Sequence, residues 1–358
     1  MTLRVLVAED SPIFAEAIVQ ILSADPDLEV VGVAADGEQA VEMTASLRPN
    51  VITMDVLMPK LDGLSAIDQI MRRCPTPVLV LTADPRGQSG RLGFEALQRG
   101  AVDVMLKPER FPCPEDVARR LCDRVHVVAG VPRRRGRKAP VAPRARPRRG
   151  NPIDVVGIAA STGGPAVLGE LLIGLPASTA ATIAVVQHLP PGFVDGFVRW
   201  IAERSSLPVA VARHGERLRP GEIWIAPDGH HLELGETRLM LVEGRGLVSG
   251  HEPSGDVLLE SIARHHGPRG AGIVLTGMGS DGAAGLGAVR AAGGMTVAQE
   301  RDSCVVYGMP RAAAERGAAQ ELLSVDGIRR FLANLPRAAS RADDAPPSAG
   351  SGGATRGT

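Results

Sequence analysis

Ile153-Asp154-Val155-Val156-Gly157-Ile158-Ala159-Ala160-Ser161-Thr162-Gly163-Gly164 decides the fold of this chain. An apolar run of strand length ends on a serine, and the glycines beside that serine permit a tight strand-to-helix turn and close approach of a substrate. The pattern recurs downstream. The run Thr182–Gln187 ends on His188, and Gly272–Thr276 leads through Gly277-Met278-Gly279-Ser280 to Asp281. A nucleophile, a base and an orienting acid at strand ends are the parts of an acyl-transfer site. Strands alternating with helical stretches imply right-handed crossovers and a mostly parallel, doubly wound α/β sheet. Such sheets bind ligands outside the carboxyl ends of their strands.

Residues 1–127 repeat the alternation about five times. Strand candidates are Leu3–Ala8, Leu28–Ala35, Val51–Met54, Val78–Leu81 and Val102–Leu106, and a helix opens at Pro12 after Ser11. This predicts a second, five-stranded parallel sheet. Its strand ends carry Glu9-Asp10, Asp55, Thr82 and Lys107. Carboxylates held together repel one another, and a hard cation relieves the repulsion. Mg²⁺ suits the task, because it keeps waters and accepts phosphate oxygens. Asp55 is the best phosphoryl acceptor, with Thr82 to hydrogen-bond the transferred group and Lys107 to neutralise it. One strand-end acid alone would be an ordinary solvated loop residue; the full set on one edge argues against that.

Between the two units, residues 128–150 are rich in arginine and proline and read as an extended linker. A nucleic-acid arm is the competing reading, but no aromatics interleave and no recognition helix follows. Residues 151–336 form the second unit, with a hairpin-like insert expected around Ile223–Ile225, His231–Leu234 and Leu239–Val242. Residues 337–358 lack apolar periodicity and read as a disordered tail. The 358 residues suit two domains, and equal counts of 40 basic and 40 acidic residues create no global field toward nucleic acid or membrane. No apolar run is long enough to span a bilayer, and Met1-Thr2-Leu3-Arg4 does not open a signal peptide. Cys74, Cys113, Cys122 and Cys304 have no metal-like spacing and read as thiols of a reducing cytoplasm.

The residues alone leave the rear site open. Ser161-Thr162-Gly163-Gly164 could cradle a phosphate, although it fits neither the dinucleotide nor the P-loop spacing. Asp281 could cap the helix that follows it. His188 is one of several histidines, with His230, His231, His251, His265 and His266.

Two resemblances narrow the choice. Ala8-Glu9-Asp10-Ser11, Met54-Asp55-Val56-Leu57-Met58-Pro59 with Asp62-Gly63-Leu64, Leu81-Thr82-Ala83 and Lys107-Pro108 make residues 1–127 resemble a response-regulator receiver domain, a flavodoxin-like fold. That resemblance implies phosphotransfer from a histidine kinase to Asp55, Mg²⁺ at Glu9, Asp10 and Asp55, and a switch through Thr82 and Lys107. Receivers often carry an aromatic residue three positions before the lysine; here it is Val104. Residues 151–336 resemble the catalytic domain of the CheB family of chemotaxis methylesterases. The matching stretches are Gly157–Pro165, Gln187-His188-Leu189-Pro190 with Phe193, Ile225-Ala226-Pro227, Pro253-Ser254 with Asp256-Val257-Leu258, Leu275–Ala283 and Val305–Pro310. Ala159-Ala160 and Gly255 depart slightly from the family pattern. The resemblance implies Ser161 as nucleophile, His188 as base, Asp281 as its partner, the Met278 N–H in the oxyanion hole and Thr162 shaping the site. It also implies a cytoplasmic enzyme that needs no cofactor for ester hydrolysis. Its substrates would be methylated glutamates, and also glutamines, on chemoreceptors.

Overall fold

Asp36 and Asp62 show how locally this chain sets its elements: each accepts a hydrogen bond from the backbone three residues on, Gln39 and Ser65, and starts a helix. In the computed structural model, which describes residues 2–83, 88–108, 113–131 and 153–335, the front unit has strands β1 (Leu3–Ala8), β2 (Leu28–Ala34), β3 (Val51–Asp55), β4 (Val78–Thr82) and β5 (Asp103–Leu106). They pair in parallel in the order β2-β1-β3-β4-β5. The connecting helices are α1 (Pro12–Ser23), α2 (Gly37–Leu47), α3 (Gly63–Arg73), α4 (Gln88–Gln98) and α5 (Glu115–Ala129). The final helix runs two residues into the segment read from sequence as linker, because Val125 and Val128 continue its buried face. The rest of that linker from 132 onward, and the tail, lie outside the described residues.

The rear unit contains β6 (Val155–Ala160), α6 (Gly164–Ile173), β7 (Thr182–Gln187), α7 (Val194–Ala202), β8 (Val209–Val211), β9 (Ile223–Ile225), β10 (His231–Leu234), β11 (Leu239–Val242) and α8 (Gly255–His266). It continues with β12 (Gly270–Val274), α9 (Ala283–Ala291), β13 (Met295–Gln299), α10 (Met309–Glu315), β14 (Glu321–Leu323) and α11 (Val325–Ala333). Seven strands form one sheet in the order β14-β13-β12-β6-β7-β9-β8, every pair parallel. The hairpin-like insert is therefore smaller than the sequence suggests. Among the described strands β10 and β11 form the antiparallel pair, while Ile223–Ile225 lies in the main sheet between β7 and β8. A three-residue apolar run carries no period that separates the two pairings.

The β12-β6-β7 centre is where this sheet switches direction: the chain leaves β6 toward β7 on one side and returns to β12 on the other. Side chains of α8, α9 and α10 cover one face with Leu258, Leu259, Leu286 and Ala313. Those of α6, α7 and α11 cover the other, and this layer is continuous with the apolar core of the front unit. The junction is aromatic. Phe94 of α4 is fully buried, with ring centroids 5.9 Å from Phe193, 5.6 Å from Phe197 and 5.9 Å from Trp200. Burying a ring of that size is worth roughly 1.5–3 kcal/mol, so the two units are packed, not merely tethered.

Candidate active site

Ser161, His188 and Asp281 follow β6, β7 and β12, the three central strands. Ser161 is held by its backbone. Its N–H donates to Thr276 O at 3.0 Å, and its carbonyl accepts from Gly164 N at 2.8 Å and Gln187 Nε2 at 2.9 Å. Gly163 has φ 74, and a Cβ there would sit 2.4 Å from the Val305 side chain. The glycine turn is thus filled by the protein's own side chains, which leaves no cradle for the phosphate considered from sequence. Thr276 is buried, and its hydroxyl lies 3.0 Å from Thr162 O while accepting from Val306 N at 2.8 Å. It pins the serine turn to the loop that carries Met278. In the sequence Thr276 carries no signal beyond a polar group closing an apolar strand.

His188 Nε2 lies 2.9 Å from Asp281 Oδ2. Its Nδ1 is buried and has no hydrogen-bond partner among the described residues. With Nε2–H pointed at a carboxylate, Nδ1 carries the lone pair. Nδ1 is the ring atom left to take a proton, and catalytic hydrogen bonds are often made only once substrate is bound. Asp281 does not cap the helix that follows it; Gly282 stands at that N-cap. It caps α8 instead, accepting from Ser254 Oγ at 2.6 Å, Gly255 N at 2.6 Å and Asp256 N at 3.1 Å. Burial pushes this carboxyl up, but His188, Ser254 and the Gly255 amide outweigh it and hold Asp281 at about 2. Gly277 donates to Val306 O and accepts from Gly308 and Met309, whereas the Met278 N–H has no acceptor among the described residues. Ser161, His188 and Met278 line one cavity of about 740 Å³, together with His251 and Leu189.

His188, His251 and Asp281 offer ligand atoms within 4.8 Å of one another, yet they make a poor cation site. The two rings stack face to face, and a metal must lie in the plane of each imidazole that binds it. The Asp281 oxygens already accept four hydrogen bonds.

In the front unit Glu9, Asp10 and Asp55 also bring carboxylate oxygens within 4.8 Å of one another. Lys107 Nζ reaches across, 2.7 Å from Glu9 Oε2 and 2.8 Å from Asp55 Oδ2. Burial works against the Lys107 charge, but Asp55 and Glu9 outweigh it and push its pKa up. Burial is also the main reason that the Glu9 carboxyl is raised. Thr82 Oγ1 is buried without a partner among the described residues, so its hydroxyl can donate to a phosphoryl oxygen. The donor set is all oxygen, with one exposed member, and it fits Mg²⁺.

Lys107 is the one member of the front set that also lines the cavity of Ser161. The wall of that cavity opposite Ser161 is built from Leu106, Lys107, Pro108, Arg120 and Arg124. Arg124 pairs with Asp103 Oδ2 at 2.6 Å and also donates to Thr162 Oγ1, the residue beside the serine. Neither Arg124 nor Phe94 stood out in the sequence.

A family model described as CheB methylesterase matches residues 156–332, and one described as response regulator receiver domain matches residues 5–112. The chain is 45% identical to protein-glutamate methylesterase/protein-glutamine glutaminase 2 of Anaeromyxobacter dehalogenans, over 94% of this chain and 97% of that one. It is 43% identical to protein-glutamate methylesterase/protein-glutamine glutaminase 3 of Myxococcus xanthus, over 87% and 88%. The crystal structure of the Thermotoga maritima CheB methylesterase catalytic domain matches with a TM-score of 0.50 at 34% identity, covering 51% of this chain and 98% of that chain.

Proposed function

The chain belongs to the CheB methylesterase family and carries a response-regulator receiver domain ahead of the esterase domain, and from that we propose a protein-glutamate methylesterase, and glutamine deamidase, acting on chemoreceptors under control of Asp55 phosphorylation. The observation that carries the reading is the His188–Asp281 pair at 2.9 Å, with Nδ1 unpartnered in the cavity that holds Ser161. Ser161 Oγ attacks the ester carbonyl carbon as its proton passes to His188 Nδ1. Negative charge builds on the carbonyl oxygen, where the free Met278 N–H stabilises it. The C–O bond to the methoxy group breaks, His188 returns the proton, and methanol leaves an acyl-Ser161. Water, deprotonated by His188, then hydrolyses the acyl-enzyme to the glutamate carboxylate. With a glutamine substrate, ammonia leaves in place of methanol.

A histidine kinase supplies the phosphoryl group to Asp55. Glu9, Asp10 and Asp55 would hold Mg²⁺, which would neutralise phosphate charge there. The side chains of Thr82 and Lys107 provide the hydrogen bond and the charge that fix the phosphoryl oxygens. In the unphosphorylated state Lys107 pairs with Asp55 directly, and the receiver walls the esterase cleft. A receptor helix, about 10–12 Å across with its side chains, must approach through the side that the receiver occupies.

The test is methanol release from a methylated receptor fragment. Ser161→Ala and His188→Ala are expected to lower turnover by roughly a millionfold while the protein stays folded. Near-normal release by Ser161→Ala would overturn the serine mechanism.

A further inference from the structure

The His251 ring lies parallel to that of His188, with centroids 3.7 Å apart and planes 6° from coincidence. His251 is itself fixed. Its Nδ1 sits 2.9 Å from Ser249 O, so that nitrogen carries the proton. Val248 and His251 exchange backbone hydrogen bonds at 3.1 and 3.0 Å around Ser249 and Gly250, both at positive φ, 51 and 81. The Ser249 hydroxyl anchors this tight turn on Asp256 Oδ2 at 2.7 Å, and Asp256 N donates to Asp281. One continuous network therefore runs from Asp281 through Asp256 and Ser249 to His251, and returns to Asp281 through His188.

We infer that His251 is a positioning residue of the esterase: its face clamps the His188 ring in the plane where Nε2–H meets Asp281 and Nδ1 faces the cavity of Ser161. The inference rests on the serine-esterase reading above. Asp281 restrains only one edge of His188, and a ring held by one hydrogen bond can still swing about that bond. A parallel ring against its face removes that freedom. The clamp works best when neutral, because His188 must become an imidazolium in each half-reaction and a charged neighbour would oppose it. Burial, and then His188 itself, lower the pKa of His251, while Asp281 works in the opposite sense.

The experiment measures methanol release from a methylated receptor fragment by the full-length, phosphodonor-activated chain carrying His251→Phe, His251→Gln or His251→Ala, with Ser161→Ala as the control. Loose placement of a reacting group costs about ten- to a hundredfold, so His251→Gln and His251→Ala are expected to lower kcat by that factor with KM within twofold. His251→Phe, which keeps a flat face, is expected to recover most of kcat. A purely structural role would lower all three together or reduce the melting temperature with the activity. Equal loss in His251→Phe and His251→Gln, or wild-type kcat in either His251→Gln or His251→Ala, would overturn the clamp. If His251→Ala does not fold, the Phe and Gln pair decides. Activity surviving in Ser161→Ala would instead overturn the esterase reading itself.

Discussion

The carboxylate of Asp281 takes hydrogen bonds from His188, Ser254 and two amides at the start of α8, and this fixes its charge as well as its position. A carboxyl held at about 2 against an unfolded value of about 3.9 stabilises the fold at any pH above the unfolded value. That stabilisation is lost as the pH falls from roughly 4 toward 2. The gap in unfolding free energy between the wild type and Asp281→Asn should therefore be constant above about pH 5 and shrink between roughly pH 4 and 2; a gap that widens on acidification would contradict the assignment. Asp281→Asn should also lower turnover by about 10⁴-fold, because the amide can favour the wrong histidine tautomer. This scale is also where the sequence is most and least informative. Ser161, His188 and Asp281 were legible because each closes or follows an apolar run. Ser254, although it stands in a stretch that matches the family, and His251 were not legible as neighbours of this site, because a turn more than sixty residues past His188 brings them in, and no periodicity encodes that return.

Helix α4 links the receiver to the esterase. Gly93 packs on the β5 strand, where an added Cβ would meet Val104 Cγ2 at 3.0 Å, and the next residue, Phe94, enters the aromatic group of Phe193, Phe197 and Trp200. The position where receivers often carry an aromatic is thus a small side chain under α4, and the aromatic contact belongs to the helix. A shift of α4 on phosphorylation would act directly on the interdomain packing. Replacing a buried Phe with Ala costs roughly 3–5 kcal/mol, part of it here in domain docking. Phe94→Ala is expected to raise the esterase activity of the unphosphorylated chain severalfold and to red-shift the emission of Trp200 as its surroundings take up water. Unchanged basal activity together with unchanged emission would show that α4 does not hold the domains together. The sequence marked the region as helical, but an apolar face says only that something covers it. The partner lies about a hundred residues away in another domain, and such pairings leave no local trace. The same limit explains Ile223–Ile225, whose parallel partners β7 and β8 are non-local.

At the scale of the whole molecule, two α/β units each carry their candidate site at carboxyl strand ends, and the end of β5 with α5 walls the cavity that holds Ser161. Domain order and both sets of strand-end residues were readable along the chain. Their mutual orientation was not, because it is set by Phe94 and by the bridge from Asp103 through Arg124 to Thr162. This arrangement makes the receiver a cover for the esterase. Phosphorylation at the proposed acceptor Asp55 would add charge beside Lys107 and take that lysine's partner, and Lys107 itself lines the cleft. The gain in activity can be no larger than the difference in docking free energy between the two receiver states. A fragment of residues 150–358 should therefore release methanol faster than the unphosphorylated full chain. A small phosphodonor with Mg²⁺ should raise the full chain toward the fragment, and should do nothing to the Asp55→Asn variant. Arg124→Ala removes one bridge and leaves the aromatic contact, so it should raise basal activity less than Phe94→Ala does. Equal activity of fragment and full chain, with no response to the donor, would mean that the contacts at Phe94 and Arg124 do not restrain the enzyme in solution.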